Sequence, residues 1–125
     1  MRELTGHKVN PANDKLAVLV HDEPGHGGAC HCYSIDVPAD DARKRLATRY
    51  GIDFQNGPIN EVGVNGLTHE ALLAILIDRM EGFQAGPYAS ADNQEALDAM
   101  RTAQTALQRR TLARMARGVE GTHAK

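Results

Sequence analysis

Two groups of side chains in this sequence have the types and spacing to do chemistry. The first is local: His21, His26, Cys30, His31 and Cys32 fall within twelve residues, and all are types that bind zinc. On a strand, Cys30 and Cys32 share one face while His31 points the other way. The spacing matches no common zinc pattern such as Cys-x-x-Cys. Buried cysteines and loop histidines account for this cluster, and no metal is expected. The second group is spread along the last third of the chain: Arg79, Phe83, Asn93, Arg110 and Arg114. An aromatic face, a side-chain amide and free helix-start N–H groups are what a nucleotide base and phosphate use. Two arginines one helical turn apart, with no local acid, suit a phosphate gripped bidentately.

Each of these side chains also has a plainer reading. Phe83 can be core and Asn93 an ordinary helix-start residue, while Arg79, inside an apolar arc, can snorkel or pair with Asp78. Arg110 and Arg114 can simply complement a helix dipole. Bond-breaking chemistry has less behind it. The sequence has no Gly-x-Ser-x-Gly, no Walker loop and no carboxylate pair that spacing alone brings together, so no catalytic residue is assigned. His69 and Glu70 open a helix, and the dipole accounts for the acid.

Two helices must position the second group. The first, LTHEALLAILIDRMEGFQ, starts behind Thr68, a good N-cap. Its residues Leu72, Leu73, Ile75, Leu76, Ile77, Met80 and Phe83 fill an arc of roughly 200°. That is wider than one packing partner needs, so the helix should be covered by its hairpin mate and by a sheet or second chain. After the break Ala85-Gly86-Pro87, a second helix starts behind Ser90 and runs to Arg117, with Gly118 at C′. Its roughly 27 residues would span about 40 Å. Acids sit early (Asp92, Glu95, Asp98) and arginines late (Arg109, Arg110, Arg114, Arg117), the order the dipole prefers. The inner stripe is small and thin, with Ala96, Met100, Ala103 and Leu107, and it continues into Arg110 and Arg114. Those arginines lie about 25–30 Å along the helix from Asn93. One small ligand cannot touch both ends of one hairpin. Either there are two anion sites, or chains assemble so that one chain's arginines meet another's tip.

Upstream, residues 1–15 are polar and lack a period, reading as an arm. LAVLV reads as a buried strand, and CHCYSIDV alternates like its antiparallel partner across the turn-rich DEPGHGGA. ADDARKRLATRY reads as a short helix. GIDFQNGPINEVGVNG reads as two short apolar runs around the hairpin dipeptide Asn56-Gly57, with Pro58 removing one ladder donor. The expected fold is α+β: an N-terminal antiparallel β-sheet of about four strands followed by a C-terminal antiparallel α-helical hairpin. At 125 residues the chain is expected to be one domain, with an arm at 1–15, a β-rich part at 16–66, the hairpin at 67–118 and a tail at 119–125.

Composition sets further bounds. A formal net charge of −2 gives no global pull toward DNA, RNA or membrane. The longest apolar run, residues 16–20, is too short for a membrane span. Two cysteines make no disulfide framework and suit a reducing cytosol.

The run FQNGPINEVGVNG, then THEALLAILIDRMEGFQAGPYA, Asn93 and RRTLARMARGVEGTH resembles the phage Thoeris anti-defence family, first type. The resemblance spans about residues 52–123. Residues 1–51 match only in general character, and 40–50 look like an addition to the family's sheet. It implies the same fold and no catalysis or cofactor. The protein would sequester cyclic ADP-ribose isomers made by bacterial TIR-domain enzymes, holding them intact in the cytoplasm of the infected host and so blocking Thoeris and CBASS immunity. Family members form homodimers that can build into hexamers, and some bind cyclic di- or trinucleotides at a separate site. Carried over by motif, Phe83 and Asn93 would line the cyclic ADP-ribose pocket, with Phe54, Gln55, Asn56 and Asn65 at its wall; Arg79, from its place in the apolar arc one turn before Phe83, is a further candidate ligand. Arg110 and Arg114 would serve the second site. The competing readings are an enzyme that hydrolyses the same signals, using the His/Cys cluster, and an interaction module whose arginines engage a protein or nucleic acid.

Overall fold

The computed structural model describes residues 1–10, 14–118 and 122. The chain divides into two compact units, Met1–Gly57 with Val64–Gly66, and Pro58–Gly63 with Leu67–Lys125.

The first unit is a four-stranded antiparallel sheet in the order β1-β2-β3-β4, with β1 Arg2–Leu4, β2 Ala17–Val20, β3 Cys32–Val37 and β4 Thr48–Asp53. Cross-strand partners share a face. The register Arg2↔Val20↔Tyr33↔Ile52 and Leu4↔Val18↔Ile35↔Tyr50 therefore puts most of the large apolar side chains on one side, with Ala17, Leu19 and Cys32 on the other. That other side also carries Glu3, Ser34, Asp36, Arg49 and Asp53. Val20 is fully buried, and the Phe54 ring, just past β4, meets Tyr33 edge-on at 5.6 Å.

The β2–β3 hairpin and the strand count agree with the sequence reading, but two strands come from unexpected places. Residues 2–4, read as part of a polar arm, are an edge strand. Three residues are too few to show a period, and main-chain pairing to β2 holds them. The expected helix in ADDARKRLATRY does not form. An Asp40↔Arg45 bridge and Lys44 at φ 54° reverse the chain, and Asp40 binds Arg43 through both backbone and side chain. Residues 48–53 then pair fully with β3. Pairing to an existing strand outweighed local helix propensity.

The expected hairpin around Asn56-Gly57 is also absent. Ile59–Val62 form a single helical turn, α1, with Pro58 (φ −66°) as its N-cap. Proline has no N–H to give a ladder, and its fixed φ suits a helix start. Glycines at φ 91° (Gly57) and 75° (Gly63) bracket this turn.

The second unit is the helical hairpin, α2 His69–Gln84 and α3 Ala91–Ala116. Thr68 Oγ1 accepts from the Ala71 N–H and Ser90 Oγ from the Asn93 N–H, both at 3.1 Å. Gly118 ends α3 at φ 72°. Ile77 and Leu97 are the buried centre of the seam. Around them Leu73, Met80 and Gln84 on α2, and Asn93, Met100, Gln104, Leu107, Thr111 and Arg114 on α3, are half-buried. The α3 set steps by fours and threes, a 3.5-residue period. The stripe expected from sequence is rotated: Ala96 and Ala103 are exposed, and Leu97 and Gln104 take their places. Leucine has far more apolar surface to bury than alanine, and the Gln104 amide reaches the Glu70 carbonyl at 3.4 Å.

Gly66 lies where a Cβ would come 2.4 Å from the Phe54 carbonyl carbon and 2.6 Å from both Asp53 O and Gln55 N. All three are backbone atoms that cannot swing aside. Gly66→Ala is expected to destabilise the protein by about 3 kcal/mol, read as a lowered urea midpoint; an unchanged midpoint would contradict this packing.

Candidate functional site

In the helical unit, Arg79 and Phe83 lie near the end of α2 and Asn93 in the first turn of α3. The Arg79 guanidinium lies over the Phe83 ring at 5.0 Å from its centroid. Phe83 is 36% exposed, so it is not the core residue its place in the apolar arc allowed. Both lie outside the seam, on a second line of α2 with Leu72 and Leu76. Across the turn Asn93 is half-buried, and its Nδ2 donates to the Tyr88 carbonyl at 3.2 Å. Tyr88 itself is 74% exposed.

Phe54, Gln55, Asn56 and Asn65 lie in the sheet unit, where Phe54 packs on Tyr33 and the three amides close a loop. The Asn65 carboxamide accepts from Asn56 N and donates to Asn56 O, both at 2.8 Å, as a neighbouring strand would. Gln55 Oε1 accepts from Asn65 N at 3.0 Å, and Gln55 Nε2 donates to Gly57 O at 3.1 Å. These amides thus fix the loop in addition to any ligand role.

Of the two arginines expected on the inner stripe, only Arg114 is there. It is half-buried and donates to the Thr122 carbonyl at 3.1 Å. Arg110 is exposed, because the stripe turned toward Leu97 and carried position 110 out of the seam. One phosphate-facing pair on a packed stripe is therefore replaced by one free-standing and one braced arginine, a single turn apart.

The His/Cys cluster is occupied with local structure. The Asp22 carboxylate accepts from His31 N at 2.9 Å and Cys32 N at 3.1 Å. The buried Cys30 thiol donates to Asp22 O at 3.4 Å and accepts from Arg2 at 3.8 Å. The hydrogen bond to Asp53, with burial, pushes the Cys32 thiol up, away from the thiolate a metal would need. Among the described residues no three His, Cys, Asp or Glu side chains gather as metal ligands.

Sequence reasoning missed one pairing, His21 with Ser34, whose Nε2 and Oγ are 2.7 Å apart. Strand register alone creates it, so no local signal could have shown it. Asp36 lies beside Ser34, but its two oxygens take the Arg49 guanidinium at 2.6 and 2.8 Å. Ser34 is 2% exposed. A substrate carbonyl would not reach that hydroxyl, so the cluster reads as buried polar structure.

The arrangement defines a class: a helical hairpin that presents an aromatic–arginine–amide tip at one end and arginines at the other. The family model described as Acb2/Tad1, hairpin domain, matches residues 49–112. That range includes every candidate nucleotide-binding side chain except Arg114. The chain is also similar to Thoeris anti-defense 1 of Bacillus phage SBSphiJ7, with 39% identity over 101 residues, 81% of this chain and 66% of that protein. The chain belongs to the phage Thoeris anti-defence family. Among the described residues no helix is long and apolar enough to cross a membrane.

The two amides that bind Asp22, His31 first, hold its carboxyl below the ordinary range. A depressed folded-state value adds stability above the unfolded value of about 3.9, lost as pH falls through the folded value. Asp36, beside Arg49, is shifted the same way. In Asp22→Asn the fall in thermal midpoint below about pH 4 should be shallower than in wild type; identical acid limbs would show that Asp22 contributes nothing there.

Proposed function

We propose that this protein is a phage anti-defence sponge. It binds cyclic ADP-ribose isomers in the cytoplasm of the infected host and withholds them from the immune effector without breaking a bond. What supports this reading is the end of the hairpin, where Arg79 stacks on an accessible Phe83 before the turn and Asn93 follows it, all within the segment that matches the family's hairpin domain.

Each part has a physical role. A base stacked on the free face of Phe83 contributes about 1–3 kcal/mol. A charge-assisted hydrogen bond from Arg79 to a phosphate contributes about 1.5–3 kcal/mol. Nanomolar capture, about −12 kcal/mol, needs several such terms and a preformed pocket. Ser90 and Tyr88 already hold Asn93 in place. Arg110 and Arg114 form the second site, for the phosphates of cyclic di- or trinucleotides.

Self-association completes the site. Ile75 (65% exposed) and Leu76 (49%) on α2, and Leu112 (62%) and Met115 (58%) on α3, leave apolar surface that a second copy would cover. A homodimer, or a hexamer built from dimers, follows from this reading and removes the conflict between a wide apolar arc and a single narrow seam.

Heating a preformed complex should release cyclic ADP-ribose unaltered, as read by mass; recovery of linear ADP-ribose would replace the sponge by a hydrolase. Phe83→Ala should weaken capture about 10- to 100-fold. Asn93→Ala should weaken ADP-ribose capture and leave cyclic trinucleotide capture near wild type, with Arg110→Ala doing the reverse. Equal losses of both ligands in either variant would show one site where two are proposed.

A further inference from the structure

The turn between the helices is held by a directed relay of side chains in which Gln84 is central. Gln84 Oε1 accepts from Ser90 N at 3.0 Å, and Gln84 Nε2 donates to Ser90 O at 3.0 Å. The same Nε2 donates to Gln94 Oε1 at 3.2 Å, and Gln94 Nε2 donates to Asp98 Oδ1 at 3.0 Å. An ionised carboxylate only accepts. Asp98 therefore turns the NH₂ end of Gln94 toward itself. The oxygen of Gln94 then faces Gln84, turning the NH₂ end of Gln84 inward and its oxygen onto the Ser90 N–H. The charge at one end fixes the orientation of both amides.

Ser90 is the residue through which this relay acts on the tip. The Gln84 amide treats it as a neighbouring strand would, and Ser90 is extended, at φ −150° and ψ 162°. In that conformation its hydroxyl caps Asn93 N, and the Asn93 side chain reaches back to Tyr88 O. Gln84 also directly follows Phe83. A loop that contains Gly86 and Pro87 offers few main-chain bonds of its own: Gly86 N to Phe83 O at 3.2 Å and Ala89 N to Gly86 O at 3.3 Å.

Building on the reading of this tip as the capture site, we propose that Gln84 is its positioning residue. By pairing with both backbone groups of Ser90, it sets Asn93 and Phe83 in the arrangement that receives the ligand, with Asp98 giving the pair its direction. Gln84 need not touch the ligand.

The test is Gln84→Glu beside Gln84→Leu, with cyclic ADP-ribose as the probe and the thermal midpoint as a check on folding. At neutral pH the new carboxylate accepts from Ser90 N but sets an acceptor against Ser90 O and Gln94 Oε1. Its protonation, near the ordinary glutamate value of about 4.3, returns one donor. Gln84→Glu should bind about tenfold more weakly at pH 7 and recover toward wild type at pH 4. Gln84→Leu should be weak at both, each variant being compared with wild type at the same pH. A purely structural residue would give no such pH-dependent recovery. Wild-type affinity in Gln84→Leu, or a deficit in Gln84→Glu that ignores pH, overturns the proposal. Exchange of the Ser90 and Asn93 amides without ligand gives a separate reading. Should wild type ignore cyclic ADP-ribose, the ligand assignment fails. Faster exchange in Gln84→Leu still supports the relay then, and unaltered exchange overturns it.

Discussion

Among the described residues Ile77 on α2 and Leu97 on α3 are the buried side chains of the hairpin, and much of the unit's geometry follows from how little else there is between the helices. Full burial of each contributes about 1.5–3 kcal/mol, modest against the entropy of ordering helices of 16 and 26 residues. The remaining seam positions are partly polar, and the glutamines among them bring their own partners. Gln104 reaches the Glu70 carbonyl, and Gln84 takes both backbone groups of Ser90. A leucine stripe would slide by a heptad at small cost. Amides with fixed partners do not slide, so the seam gains register from the residues that make it weak. The Arg101–Glu81 pair at 3.4 Å adds to the alignment, though an exposed pair contributes little energy.

Where the sequence carried a strong periodic or capping signal, the fold was legible in it. Thr68, Ser90 and Gly118 mark the helix ends because caps are local chemistry. CHCYSIDV shows its alternation because one face of β3 packs on apolar neighbours. Residues 2–4 and 48–53 gave no such signal. β4 is exposed at five of its six positions, so burial left almost no period there, and a strand added at an edge is specified by its partner. The α3 stripe was misplaced by one residue because Ala96–Ala103 and Leu97–Gln104 give nearly the same angular pattern. Only contact with α2 decides between a small apolar face and a larger, half-polar one.

The candidate site was legible by residue type and less so by role. Asparagine and glutamine in glycine-rich loops have the same side-chain groups as the backbone, so they can serve a ligand or close a loop equally well. Asn65 closes a loop, copying a strand partner for Asn56, and Gln84 does the same for Ser90. Gln84 escaped notice in sequence because it ends a helix, where polar residues need no explanation. His21–Ser34 escaped for a different reason: no spacing rule predicts a contact set by the register of two strands.

The length of α3 separates the two ends proposed as binding sites. From Asn93 to Arg110 and Arg114 the axial distance is about 25–30 Å at 1.5 Å per residue. At physiological ionic strength exposed charges are screened within about 8 Å, so an anion held at one end barely changes the potential at the other. Coupling would instead have to pass through the helix itself, and the seam makes that a poor route, since its polar members hold one register. Arg114 is already braced against the Thr122 carbonyl, which further isolates it from events at the tip. Substitutions more than 7–10 Å apart without shared partners combine additively. If both proposed sites operate, two ligands on one hairpin would therefore bind independently of each other.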